Sequence, residues 1–230
     1  GCLAQTDMKR LIAFSSVAHM GFVMLGIATL TDFGINAAVF GMVAHGLITG
    51  MLFFLAGSVK ERYHTLDMDR LGGLLIKAPR MGWILGFCAM ASLGLPGLAG
   101  FWGEVPAILA SYNPADILPE STFRGYMVVA ALGTVLAAGY LLWMLQKTAM
   151  GVPTDEFADD DSITDVNTYE WIAWAPMLAL ILFLGLYPRP LFTTTDDAVV
   201  NSLHECLFEE GDAGEACFDE LREGAEAAGN

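Results

Sequence analysis

The chain has 230 residues, 55% of them hydrophobic and only 16% charged, with a mean hydropathy of +0.52; this is too apolar for an ordinary soluble domain and points to a multi-pass membrane protein. Its formal net charge of −15 is unevenly placed, with seven acids in residues 154–170 and eleven in 196–230 out of 26 in all. Acidity concentrated in one loop and the tail argues against nucleic acid and anionic lipid as partners, because both would repel those segments.

Taken in order, the sequence opens on glycine, and GCLAQTDMKR reads as a loop entering a helix, with no signal peptide. It is therefore expected to be a piece of a longer protein. Five apolar stretches follow, each long enough for a hydrocarbon layer that takes about 20 helical residues: residues 11–30, 34–59, 82–111, 125–150 and 171–192. The third exceeds one span and carries Gly94, Pro96, Gly97, Gly100 and Gly103 within ten residues. A continuous helix does not carry that density of breakers, so the stretch is read as a discontinuous helix, centred on Gly94, Pro96 and Gly97. Glycines alone would also suit close helix packing, but Pro96 and the acid that follows, Glu104, favour a functional break. The expectation is an all-α membrane protein of about five transmembrane helices, the third discontinuous.

Alternating spans put Lys9, Arg10, Lys60, Arg62, Arg70, Lys77, Arg80 and Lys147 on one side, against Arg124, Arg189 and Arg222 on the other. The richer side is expected to be cytoplasmic. That places the acidic 152–170 loop inside and everything after Phe192 outside.

The chemistry rests on titratable groups at membrane depth, which are expensive and mark proton or ion pathways. His19 stands nine residues beyond Arg10, about 14 Å into its helix at 1.5 Å per residue. His45 lies near the middle of the second span, and Glu104 follows the break. One histidine on a membrane helix is as often a packing group as a relay. Three protonatable groups on successive helices, with the hydroxyls of Ser15, Ser16 and Thr49 one turn from the histidines, make a proton relay the better reading. Because the second helix directly precedes the broken one in sequence, substitution of His45 is expected to cost more than that of His19. Cys2, Cys88, Cys206 and Cys217 form no CxxC pair and no metal-ligand spacing, and no phosphate-cradling loop is present. No cofactor site is expected in the chain itself, and the abundant Met and Phe read as lipid-facing and interhelical packing.

DMKRLIAFSSVAHMGFVMLGI, MVAHG, KERYHTLDMDRLGGL and ASLGLPGLAGFWGE closely resemble the antiporter-like proton-pumping subunits of respiratory complex I, most of all the subunit M type, the bacterial counterpart of mitochondrial NADH dehydrogenase subunit four. The resemblance covers residues 1–192. It aligns His19, His45 and Glu104 with the family's two histidines and its acid after the broken helix, at separations of 26 and 59 residues. Leu66 and Phe14 depart from the family's usual residues without touching these groups. Related L-type and N-type subunits, and the cation/proton antiporter subunits of the same fold, carry lysine where this chain has Glu104.

The resemblance implies a fourteen-helix fold of two inverted repeats, of which this chain holds the last five helices. It implies a membrane subunit of a proton-translocating NADH:quinone oxidoreductase in a bacterial inner membrane. Its partners would be L-type and N-type subunits and lipid; NADH, FMN, iron–sulfur clusters and quinone would lie elsewhere in the complex. Glu104 would load the proton, with His45 and His19 passing it forward. The alternative is a multisubunit cation/proton antiporter, and Glu104 argues against it; a scaffold whose polar groups only pack is disfavoured by three ionisable groups at depth. Residues 1–192 form the antiporter-like domain in this reading, and 193–230 an acidic extracytoplasmic tail. There VVNSLHECLFEE and EACFDELREGAEAA read as amphipathic helices flanking GDAG. Cys206 and Cys217 then read either as a disulfide across a helical hairpin or as two free thiols in a disordered tail.

Overall fold

The computed structural model describes residues 1–160 and 162–199; the Cys206–Cys217 pair falls outside them. All regular elements among the described residues are helical: α1 (Met8–Ala28), α2 (Asp32–Tyr63), α3 (Leu74–Lys77), α4 (Pro79–Ser92), α5 (Ala99–Ala110), α6 (Glu120–Thr148), α7 (Thr168–Leu186) and α8 (Arg189–Val199), preceded by a single 3-10 turn at Cys2–Ala4. Helices α1, α2, α6 and α7 are long and apolar enough to cross a membrane unbroken. Helices α4 and α5 share the third apolar stretch as a discontinuous crossing.

The helix starts follow capping chemistry. The Asp7 carboxylate accepts from the Arg10 amide at 2.9 Å, and the Thr31 hydroxyl from the Gly34 amide at 3.1 Å. Asn167 and Glu170 form a reciprocal capping box at the head of α7. Helix α4 begins with Pro79 at its first turn and has no local side-chain cap. Its cap comes from far away in sequence: the Asp165 carboxylate accepts from the amides of Arg80 and Met81 at 3.0 and 3.1 Å. An anion at a helix N-terminus satisfies orphan N–H groups and meets the positive end of the helix dipole.

Helix α2 is the centre of the assembly, packing against α1, α4, α5, α7 and α8. Small residues permit the closest approaches. A Cβ added to Gly103 on α5 would sit 2.4 Å from Gly41 Cα on α2, so the two backbones touch where only hydrogen fits. Helix α6 turns Val128, Val129, Leu132, Val135 and Leu136 outward, a surface suited to lipid or to further membrane helices rather than water.

The last crossing ends earlier than the hydropathy of residues 171–192 suggested. Helix α7 stops at Leu186, Tyr187 takes φ −133° and ψ 76°, and Phe192 belongs to α8. Pro188 explains the stop, since proline crowds the residue before it out of helical geometry.

On the side read as cytoplasmic, Arg62 near the end of α2 donates to both Glu170 carboxylate oxygens, at 3.0 and 2.7 Å, and to the carbonyls of Thr164 and Asp165. Ser58 adds a hydrogen bond to Glu170 at 2.8 Å. More exposed pairs join Arg70 to Glu156 and Lys147 to Asp69. The hydrogen bond from Arg70 holds the Glu156 carboxyl below the usual carboxylate range.

Candidate functional site

The break spans residues 93–98. Gly94 and Gly97 hold φ of +68° and +92°, a backbone region that glycine enters without penalty. A methyl on Gly100 would lie 2.1 Å from the Ala91 carbonyl oxygen, so the start of α5 folds back tightly on the end of α4. The Trp102 indole N–H then fastens α5 to α7 by donating to the Gly185 carbonyl at 2.8 Å. These contacts fix the second turn of α5, from which Glu104 extends.

Glu104 meets α1. Its Oε1 lies 2.6 Å from His19 Nδ1, with relative exposures of 12% and 5% for the two side chains. That distance belongs to a charge-assisted hydrogen bond, the strong kind, in a setting with little water to weaken it. The other ring nitrogen of His19, Nε2, lies 3.1 Å from the hydroxyl of Ser92, the last residue of α4. The second carboxylate oxygen, Oε2, faces the break itself: a Cβ on Gly94 would stand 3.0 Å from it.

His45 joins the group from α2. Its ring centroid is 5.4 Å from that of His19, tilted by 42°, and Thr49 Oγ1 lies within 3.2 Å of both its ring nitrogens. A cavity of about 20 Å³ sits among His19, His45, Ser92, Glu104, Val23 and Ile48. This is room for one water, which needs about 10–15 Å³ on the same measure and several polar partners. The arrangement can hold a proton on a carboxylate–imidazole pair and hand one between the two imidazoles across a single bridging molecule. Among the described residues, no group of three or more His, Cys, Asp and Glu side chains is placed to hold a metal ion.

The three titratable groups picked out on separate helices are thus brought together, and two of the three hydroxyls named with them are not. His19 is the direct partner of Glu104, although its helix is the more distant in sequence; adjacency along the chain is no guide to which face of a helix meets α5. Ser15 and Ser16 do not reach a histidine. Both hydroxyls donate to the Ile12 carbonyl, at 2.8 and 3.3 Å, the backward bond that helical serines commonly prefer. Ser92 escaped the sequence reading, though a signal existed: it is the only hydroxyl between Gly82 and Trp102. Tyr140 on α6 was also missed; it is buried, and its hydroxyl has no hydrogen-bond partner among the described residues.

Comparison with known proteins fits this architecture. The transmembrane family described as NADH:quinone oxidoreductase/Mrp antiporter matches residues 1–118, half the chain, including His19, His45, the break and Glu104. The chain belongs to this family. A relative named NAD(P)H-quinone oxidoreductase chain 4 1, from Nostoc sp., is 42% identical over 195 residues, covering 85% of this chain and 36% of its own length. A subunit of respiratory complex I from Thermus thermophilus, solved with bound NADH, superposes with a TM-score of 0.71 at 29% identity, over 85% of this chain and 40% of that one. The Mrp complex from Dietzia sp. gives a TM-score of 0.72 at 20% identity, over 89% and 44%, and shares the fold. The chain spans about a third of the length of the curated relatives it matches. Members of this family are membrane proteins, as the four apolar spans require.

Proposed function

We propose that this chain is the C-terminal part of a membrane subunit that translocates protons within an NADH:quinone oxidoreductase of a bacterial inner membrane. The observation that carries the reading is the 2.6 Å contact between His19 and Glu104 beside the helix break. A carboxylate and an imidazole paired at membrane depth form a site that holds or releases a proton with small movements of its surroundings. The names of the relatives support the assignment to an oxidoreductase complex. In this proposal NADH, FMN, iron–sulfur clusters and quinone belong to other subunits, and L-type and N-type antiporter-like subunits are neighbours. Residues 1–192 form the antiporter-like domain, and the acidic segment after them lies outside.

A proton arriving from helices upstream of residue 1 would rest on His45 and cross the small cavity to His19. The His19 Nδ1 proton then passes to Glu104 Oε1 and Glu104 discharges outward; the proton left on Nε2 is exchanged to Nδ1 through water, which returns the neutral ring to the tautomer that donates to the carboxylate. Expelling a proton costs about 2.3 kcal/mol per 100 mV of opposing potential, so the proton affinity of the pair must swing roughly fiftyfold during turnover. Redox-driven charge movement elsewhere in the complex would supply the swing.

Glu104→Gln in the full-length protein within the assembled complex tests this. The amide keeps the shape and cannot cycle a proton, so proton translocation and, through tight coupling, quinone reduction are expected to fall by an order of magnitude or more. Glu104→Asp is expected to be milder, retaining the titrating group one methylene short. Normal pumping and turnover in an assembled Glu104→Gln complex would overturn the reading. The cation/proton antiporter alternative makes a different prediction: sodium-dependent proton exchange without NADH.

A further inference from the structure

We infer that Ser92 is the positioning residue of the proton site: its hydroxyl holds His19 Nε2 and reverses its hydrogen bond each time the His19–Glu104 pair gains or loses a proton. The inference rests on the proton-transfer reading of that pair and assigns the second face of the imidazole.

His19 is almost wholly buried, and its two nitrogens each have one neighbour, Glu104 Oε1 at 2.6 Å and Ser92 Oγ at 3.1 Å. With the pair unloaded, Glu104 is a carboxylate and His19 a neutral imidazole with its proton on Nδ1, donated to Oε1. Nε2 is then a bare acceptor, and the Ser92 O–H donates to it. Adding one proton to the pair places it on Nε2. His19 is then an imidazolium, or, after the Nδ1 proton passes to Oε1, a neutral ring facing a carboxylic acid. In either loaded form Nε2–H donates and Ser92 Oγ accepts. A hydroxyl serves both states by rotating, because it carries one donor and two acceptor lone pairs. Alanine serves neither, and lysine or arginine could only donate.

Position gives the residue a second property. Ser92 closes α4, and Gly94, two residues on, brings the backbone against Glu104 Oε2. The end of α4 and the start of the break therefore touch both members of the pair, one at His19 and one at Glu104. A shift of α4 along its axis would lengthen the Ser92–His19 contact before it disturbed the His19–Glu104 bond, which joins α1 to α5. Ser92 ties the basicity of His19 to where the half-helix ends.

Loss of the hydroxyl penalises the loaded state more, since a hydrogen bond from imidazolium is about twice as strong as one between neutral groups. The titration midpoint of the pair is expected to move to lower pH by about half a unit to one unit. The other titratable groups around the pair are His45 from α2, whose ring faces that of His19, and Tyr140 from α6, which feels the charge of Glu104, and the substitutions leave both in place.

The test uses the full-length subunit in the assembled, membrane-embedded complex. Infrared difference spectra taken across a pH series follow the Glu104 carboxyl band, assigned by its absence in Glu104→Gln. Ser92→Ala and the volume-matched Ser92→Cys should shift the midpoint alike, while Ser92→Thr, which keeps the hydroxyl, should return it toward wild type. The same order should appear in the pH profile of quinone reduction. Wild-type midpoints in Ser92→Ala and Ser92→Cys would overturn the inference, as would a Ser92→Cys complex behaving like wild type while only Ser92→Ala shifts, which would assign the residue to packing. The infrared midpoint is read independently of pumping. A Glu104→Gln complex that pumps normally would therefore remove the proton-translocation reading without deciding the role of Ser92.

Discussion

Gly94→Ala separates the conformational demand of the break from its electrostatic demand. Residue 94 holds φ +68°, where a Cβ costs about 1–2 kcal/mol. The added methyl would also lie 3.0 Å from Glu104 Oε2 and 3.7 Å from its carboxyl carbon, so the carboxylate must move by a few tenths of an ångström. It is not free to move without loss, since Oε1 is held 2.6 Å from His19. Displacement weakens a charge-assisted hydrogen bond worth about 1.5–3 kcal/mol, and forfeiting half of that lowers the rate of proton delivery by about four- to twelvefold. Gly97→Ala is the control. It imposes comparable backbone strain at φ +92°, yet its methyl would meet only Leu186 Cδ2, at 3.7 Å. With both variants in the full-length protein and brought to equal assembly, proton uptake by inverted vesicles should be about four- to twelvefold lower in Gly94→Ala than in Gly97→Ala. Equal uptake would refute the claim that the backbone at 94 positions the Glu104 carboxylate.

Two further outcomes follow from the geometry. His19→Ala should impair turnover more than His45→Ala, because it removes the direct partner of Glu104 whereas the His45 position borders a cavity that water can extend; comparison of NADH-driven quinone reduction in the two assembled variants checks the order, and a more damaging His45→Ala would refute it. Arg62→Ala leaves Glu170, only 15% exposed, without its cation; removing one member of a buried pair costs about 3–5 kcal/mol, here reduced by residual solvent contact. The variant should melt at lower temperature and be cleaved faster within residues 152–167 under limited proteolysis, and unchanged protection would assign the loop's order to other contacts.

Much of the site was legible because membrane depth makes polarity expensive. His19, His45, Glu104 and the glycine–proline break stand out against apolar surroundings, and no knowledge of packing is needed to find them. How they pair was not legible, because it depends on the rotation of each helix and on how near two backbones come. Gly41 and Gly103 let α2 and α5 touch; that contact, with the α1–α2 hairpin closed at Gly26 and Gly34, turns His19 rather than His45 onto Glu104. The end of the last crossing was missed for a local reason. Hydropathy averages over residues 171–192, while Pro188 acts on a single backbone position.

The acidic loop illustrates the same limit from the opposite direction. Seven acids in residues 154–170 speak, as composition, only of repulsion toward nucleic acid and anionic lipid, yet four carboxylates among them have defined partners: Glu156 with Arg70, Asp160 with Ser162, Glu170 with Arg62, and Asp165 with the amides of Arg80 and Met81. The last of these matters most for the site. Asp165 anchors the first turn of α4, Arg62 holds the Asp165 carbonyl and so the loop to α2, and the far end of α4 is Ser92 against His19. The half-helix is thus gripped at its head by the loop and at its foot by the imidazole of the proton site, and α2, which carries His45, grips the same loop. A charge run that composition marks as mere surface is, in part, the fixture that sets where the broken helix ends.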